Sequence, residues 1–138
     1  QASMFEKEGK GYIVASFGQE SGHIPYTTFM AKQSYIKDNP DTIEKFTRAI
    51  YKAQQWVQET DSAEVAKIIS PYFEDTDTSI ITLAVERYKA QESFALNPIL
   101  DKEEWANLQD IMKEAGEIES LIDHQTLVDT SFAEEVSK

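Results

Sequence analysis

The chain has 138 residues with 25 acidic and 13 basic side chains, so its formal net charge is −12 at pH 7. A negative charge of this size opposes binding to phosphate backbones and to anionic membrane surfaces, which argues against a nucleic-acid or membrane-surface role. The absence of cysteine excludes disulfides, thiolate metal sites and cysteine nucleophiles. The length fits one domain, and an aromatic content of 11% argues against disorder.

The first thirty residues combine two apolar segments with a polar turn. The run Gly11–Phe17 is rich in β-branched and aromatic residues and is bounded by glycines, which predicts a strand. The composition of Gly18–Gly22 indicates a loop, and Pro25–Ala31 predicts a second strand. Residues 1–10 show no clean periodicity. The chain starts with Gln1 rather than Met, which indicates processing or excision from a longer protein.

From residue 32 onward the pattern is helical. A short helix is predicted over 32–37, and a long helix from Pro40 to about Glu59 with Asn39 as its N-cap. The apolar residues of the long helix recur at spacings of three and four, which places them on one face that we expect to be buried. They are Ile43, Phe46, Ile50, Ala53 and Val57.

Cap signals place three further helices. Asp61–Glu64 and Asp101–Glu104 match the capping-box pattern, and Thr76–Asp77 forms a third N-terminal signal. Gly116 is predicted to end the helix that follows Asp101, and a short apolar segment closes the chain. Two strands alone make an unstable sheet. The sequence therefore predicts a mostly α-helical chain with two short N-terminal strands that belong to a larger sheet.

The sequence predicts neither a metal site nor a catalytic site. His23 and His124 are far apart, and the acidic run Glu74–Asp77 lacks the glycine and the distal glutamate of a calcium loop. Ser21–His23 has no orienting acid at a recognisable spacing, and no phosphate-binding or dinucleotide-binding motif occurs. We therefore expect a protein that is not an enzyme and has no cofactor.

Several segments carry a family resemblance through their order and spacing. They are Ile24–Ala31, Tyr35–Asp41, Phe46–Trp56, Ile69–Phe73, Val85–Lys89, Leu108–Met112, Glu114–Gly116, Leu127–Asp129 and Ser131–Ala133. Together they resemble the C-terminal part of periplasmic-type substrate-binding proteins of the NMT1/THI5-like group. This group is akin to the sulfonate-, taurine-, nitrate- and thiamine-precursor-binding components of ABC importers.

The resemblance implies an α/β parent of the type II periplasmic-binding-protein fold, with ligand between two lobes. Residues 1–24 would form the end of the second lobe and the inter-lobe crossover, and residues 25–138 the C-terminal part of the first lobe. The candidate ligand contacts near the crossover are Ser16, Glu20, Tyr26 and Thr27. Glu20 would accept a hydrogen bond from the ligand, and Tyr26 would stack on it or donate through its hydroxyl.

The implied function is capture of a small polar or heteroaromatic solute (a sulfonate, nitrate, a pyrimidine or similar) and its delivery to an ABC permease. The implied location is extracytoplasmic, in the periplasm or as a lipoprotein on the cell surface. An isolated fragment would self-associate through exposed strand edges. One alternative is a standalone acidic helical interaction module without a small-molecule ligand. The other is an enzyme, because one branch of the family makes a pyrimidine with a histidine and pyridoxal phosphate, but no matching lysine–histidine arrangement is found here.

Overall fold

A computed structural model describes all 138 residues. Its regular structure consists of nine α-helices and one 3-10 turn over Ser70–Tyr72. The helices are α1 (Ala2–Lys7), α2 (Phe17–Glu20), α3 (Gln33–Asp38), α4 (Pro40–Glu59), α5 (Ser62–Ile69), α6 (Thr78–Ala90), α7 (Lys102–Glu114), α8 (His124–Leu127) and α9 (Ser131–Val136). The chain folds as two compact units. Unit 1 comprises residues 1–20 and 53–96, and unit 2 comprises residues 21–52 and 97–138.

The two predicted strands are not formed, so that part of the predicted fold class is wrong. Residues 11–16 and 25–31 have no ladder hydrogen bonds, and Phe17 begins α2 instead. β-branched and aromatic residues favour an extended backbone, but a strand exists only where a neighbouring segment pairs with its N–H and C=O groups. No segment of this chain does so. The predicted predominance of helix is confirmed, and the α/β organisation of the longer parent stays a prediction.

Helix α4 begins and ends at the predicted residues. Asn39 lies directly before α4 as predicted, and its carbonyl accepts from the Ile43 N–H at 3.2 Å. Its side-chain amide, however, donates to the Tyr35 carbonyl at 3.1 Å. None of the α4 residues is buried, and Phe46 is 45% exposed. The prediction of a buried α4 face is therefore wrong for this chain, since the other helices cover that face only in part.

The remaining cap predictions hold in most details. Asp61 and Asp77 accept hydrogen bonds from the Ala63 and Ser79 N–H groups, in the first turns of α5 and α6. The prediction of a capping box over Asp61–Glu64 is wrong, because Asp61 bonds Ala63 and not Glu64. Asp101 accepts from the Glu104 backbone N–H at 2.8 Å, and the Glu104 carboxylate accepts from the Asp101 N–H at 3.4 Å, which completes the capping box. Gly116 follows α7 with φ +76°, the left-handed conformation that a glycine provides at low cost.

The core of unit 1 lies between α5 and α6. Val65 and Ala66 of α5 pack against Ile81 and Val85 of α6, and each is at most 4% exposed. Val57, Ile69 and Phe94 surround this cluster and are partly buried. Helix α1 joins unit 1 through polar contacts, with an ion pair from Glu6 to Arg87 and a hydrogen bond from Lys7 to Ser79.

Unit 2 is organised around α7. Gln109 is buried, and its side-chain amide makes two hydrogen bonds to the backbone of Ile122. The Trp105 indole N–H donates to the same Ile122 carbonyl at 2.8 Å, and the Trp105 ring packs edge-on against His124. The loop that follows α7 is therefore attached to that helix by side-chain hydrogen bonds. No helix in the chain is both long enough and apolar enough to cross a membrane.

Candidate functional site

Ser16 lies in unit 1, at the start of α2, and it belongs to a row of three polar side chains. Its hydroxyl donates to the Gln91 side-chain oxygen at 2.9 Å, and the Gln91 amide donates to the Ser93 hydroxyl at 2.7 Å. The sequence did not point to Gln91 or Ser93, because Gln91 lies 75 positions after Ser16, beyond helices α2 to α6. No periodic pattern connects residues so far apart. We call Ser16, Gln91 and Ser93 the polar row.

The extended segment that leads to Ser16 is held by Glu6. One carboxylate oxygen accepts from the Ile13 backbone N–H at 3.0 Å, and the other accepts from the Arg87 guanidinium at 2.7 Å. The Ile13 hydrogen bond, and then the Arg87 interaction, hold the pKa of the Glu6 carboxyl below its ordinary value. This anchor fixes the path of residues 11–16 although no strand forms.

Glu20 ends the four-residue helix α2 and is exposed. Its backbone N–H donates to the Ser16 carbonyl at 3.1 Å, so Ser16 and Glu20 are separated by one helical turn. An exposed carboxylate in this position can accept a hydrogen bond from an incoming donor without breaking an internal contact.

Tyr26 and Thr27 lie in unit 2, on an extended segment between two attachment points. On one side, Asn107 donates hydrogen bonds to the backbone carbonyls of Ser21 and His23. On the other side, residues 29 and 46 form an edge-to-face ring pair with centroids 4.9 Å apart. Tyr26 is 97% exposed and Thr27 is also exposed, so both side chains face solvent.

The four predicted site residues thus form two pairs, and the two members of each pair lie close together in the sequence. Ser16 and Glu20 are brought together in unit 1, and Tyr26 and Thr27 in unit 2. No group of three or more histidine, cysteine or acidic side chains is arranged to hold a metal ion. The His124 ring forms a hydrogen bond through Nε2 with the Leu100 carbonyl at 2.8 Å.

The two main grooves do not contain the predicted contacts. A groove of about 330 Å³ in unit 1 lies between α1 and the extended segment and is lined mainly by Phe5, Tyr12 and Ile13. A second groove, of about 360 Å³ in unit 2, is lined by residues of α3 and α8 and by the segment after α8. Both grooves are partly open to solvent. The first is lined mostly by apolar atoms, whereas polar side chains such as Gln33, Lys37 and Asp129 line part of the second.

Sequence comparison decides the family. The model of the NMT1-like family matches residues 2–70, which is half of the chain. The chain belongs to the NMT1-like family. This match confirms the resemblance found in the sequence, and it covers both extended segments together with helices α1 to α5 of this family member.

A curated relative extends the similarity to nearly the whole chain. Over 137 residues, 99% of its length, the chain is 53% identical to YtlA of Bacillus subtilis (strain 168), which is named provisionally as a binding protein. The aligned region is 41% of YtlA, so this NMT1-like chain spans about two fifths of the length of the relative it matches. No solved structure matches the chain.

Proposed function

We propose that the chain is the C-terminal part of the solute-binding component of an ABC importer. Family membership and the name of YtlA support a binding role. In this proposal residues 1–24 end the second lobe and form the crossover, and residues 25–138 continue the first lobe. The protein is extracytoplasmic, in the periplasm or lipid-anchored, and passes its solute to a membrane permease.

The observation that carries the proposal is the exposure of large apolar side chains on the two extended segments. Tyr12 and Val14 on the first segment, and Tyr26 and Met30 on the second, are each more than 90% exposed. Large apolar side chains left this exposed are typical of a binding site or an interface. The segments also carry or adjoin the candidate ligand contacts, so a ligand and the remaining residues of a longer protein would cover them together.

The total accessible surface agrees with this interpretation. The chain exposes 10617 Å². A compact protein of this mass exposes about 7,300 Å², and two separate compact units of half the mass would expose about 8,800 Å² in total. The excess remains even when the two units are counted separately. We propose that this excess surface is buried in a longer protein. The part that buries it would correspond to the three fifths of YtlA that lie outside the match.

The proposed ligand contacts divide the chemistry between two kinds of group. Tyr26 offers an exposed ring for stacking on a planar solute and a hydroxyl for a hydrogen bond. Glu20 accepts a hydrogen bond from a solute donor, and the Thr27 hydroxyl can donate to a solute oxygen. The Ser16 hydroxyl donates to Gln91, so it is left to accept a hydrogen bond from a solute donor. These groups suit a small polar or heteroaromatic solute that has a hydrogen-bond donor, such as an aminopyrimidine or an amino-sulfonate, which binds by stabilising the closed arrangement of two lobes. Nitrate fits them less well, because it has no donor for Glu20.

A thermal-shift screen of the full-length protein tests the proposal. We expect one solute class among taurine, nitrate and a hydroxymethyl aminopyrimidine to raise the Tm in a saturable way. Tyr26→Ala should lower the affinity for that solute by more than about threefold, because the stacking surface is lost. Tyr72→Ala is the matched control, since Tyr72 is another exposed tyrosine outside the site. No shift with any solute, together with a monomeric 138-residue chain, would favour the acidic interaction module instead.

A further inference from the structure

The turn that leads into the second extended segment is built around one side chain of α7. The amide nitrogen Nδ2 of Asn107 donates to the Ser21 carbonyl and to the His23 carbonyl, each at 3.1 Å. Gly22 between them has φ +72°, a conformation that glycine adopts at low cost. A Cβ at residue 22 would lie only 3.4 Å from the same Nδ2 atom. The glycine thus provides both the backbone conformation and the close approach.

Two attachments limit the part of the segment that carries Tyr26 and Thr27. His23, the second acceptor of Asn107, precedes Tyr26 by three residues. Beyond Thr27, the Phe29 ring packs edge-on against Phe46 of α4. Ile24 and Pro25 are half-buried, whereas residues 26–28 are exposed. The exposed part of the segment is therefore only three residues long, and contacts within unit 2 hold the chain on both sides of it.

We propose that Asn107 is a positioning residue for the solute site, because it fixes the turn from which Tyr26 and Thr27 extend. This inference rests on the proposed function for the role of those two residues in binding. A turn centred on glycine has many backbone conformations when it is not fastened. Ordering it upon binding would then cost free energy and lower the affinity. Asn107 removes that cost by ordering the turn in advance.

Helix α7 provides a matched control. Trp105 also holds a loop, through the hydrogen bond from its indole N–H to the Ile122 carbonyl. Because residues 105 and 107 are two positions apart, they project on different sides of the helix. Trp105→Phe therefore removes one loop attachment of α7 and leaves the Asn107 attachment in place.

Hydrogen exchange of the full-length protein without solute tests the positioning role. We expect Asn107→Leu to speed amide exchange in residues 22–28 by at least about fivefold, while Trp105→Phe leaves exchange in residues 22–28 unchanged. Gly22→Ala disrupts the same turn from the loop side, and it should also speed amide exchange in residues 22–28. It serves as the test variant if Asn107→Leu folds poorly. Unchanged exchange in residues 22–28, or an equal increase in both α7 variants, would overturn the proposal.

Titration with taurine, nitrate and a hydroxymethyl aminopyrimidine adds the binding readout. For a solute that the wild-type protein binds, Asn107→Leu should weaken affinity by about three- to tenfold, with the Tm within about 3 °C of wild type. The double variant Asn107→Leu with Gly22→Ala should lose no more affinity for the solute than either single variant, because both substitutions disrupt the same turn. Equal affinity of wild type and Asn107→Leu would refute the positioning role. If the wild type binds none of the three solutes, the proposed function fails, and the exchange result still decides whether Asn107 orders the segment.

Discussion

Glu6 and Arg87 are joined by an ion pair of 2.7 Å although 81 positions separate them in the chain. The same Glu6 carboxylate also accepts the Ile13 backbone N–H. One side chain thus connects α1 to α6 and holds the extended segment in front of Ser16. This relationship gives the first extended segment a fixed path in the absence of strand pairing.

The Glu6 anchor predicts a specific pH dependence. The Ile13 hydrogen bond and Arg87 lower the pKa of Glu6 in the folded state, so its contribution to stability is complete above the ordinary carboxyl pKa and is lost as the pH falls through the lowered value. Glu6→Gln should destabilise the protein more at about pH 7 than at about pH 3. Urea unfolding at both pH values measures the difference.

Glu114→Gln is the control for that experiment, because Glu114 is an exposed carboxylate at the end of α7. It removes neither the Ile13 hydrogen bond nor the Arg87 ion pair, so it should not reproduce the destabilisation by Glu6→Gln at about pH 7. An equal destabilisation by Glu6→Gln at both pH values would show that the anchor does not act through the carboxylate charge.

The α5–α6 core predicts a contrast between two residues of one helix. Ile81 is 4% exposed, so Ile81→Ala should lower the free energy of unfolding of unit 1 by about 2–4 kcal/mol through lost burial and a cavity. Leu83 is 41% exposed, and Leu83→Ala should cost less than about 1 kcal/mol. Urea denaturation of both variants measures the contrast. Similar losses would mean that α6 buries a different face.

The loop after α7 depends on Gln109. This buried amide accepts from the Ile122 N–H at 2.6 Å and donates to the Ile122 carbonyl at 3.0 Å. Gln109→Leu leaves the Ile122 N–H without this partner and should cost about 1–3 kcal/mol. Gln55→Leu, on the exposed side of α4, should change stability by less than about 0.5 kcal/mol. Equal thermal stability of the two variants would contradict the attachment.

The exposed extended segments predict self-association of the isolated 138-residue chain. Val14 and Met30 are more than 90% exposed, and their contact between copies would remove apolar surface from water. Replacing both with lysine should weaken association by at least about tenfold in sedimentation equilibrium. A matched pair of lysine substitutions at Leu96 and Leu121, which are also exposed, should have a smaller effect. A monomeric wild-type chain would contradict the prediction.

Local signals in the sequence were enough to place most of the helices. The bounds of α4 follow from Pro40 and from regular apolar spacing, and the Asp101–Glu104 capping box involves residues only three positions apart. Such signals depend only on residues that are close together in the sequence, so they predict a helix independently of its tertiary contacts. The family resemblance was likewise readable from ordered short segments.

Long-range relationships were not readable in the same way. A strand depends on a partner that the 138 residues do not supply, so the pattern of Gly11–Phe17 predicted an element that is not formed. The bond from Ser16 to Gln91 and the bonds from Asn107 to the turn at residues 21–23 join positions with no common periodicity. Asparagine and glutamine side chains that hold loops leave no spacing rule by which a sequence could reveal them.

The most direct test of the central claim is hydrogen exchange of the full-length protein with and without a saturating solute from the thermal-shift screen. The proposed site predicts slower exchange upon binding in residues 16–20 and 24–28, with little change in the α5–α6 core, which is already buried. Protection confined to other regions, or no protection in these two segments, would contradict the assignment of Ser16, Glu20, Tyr26 and Thr27 as ligand contacts.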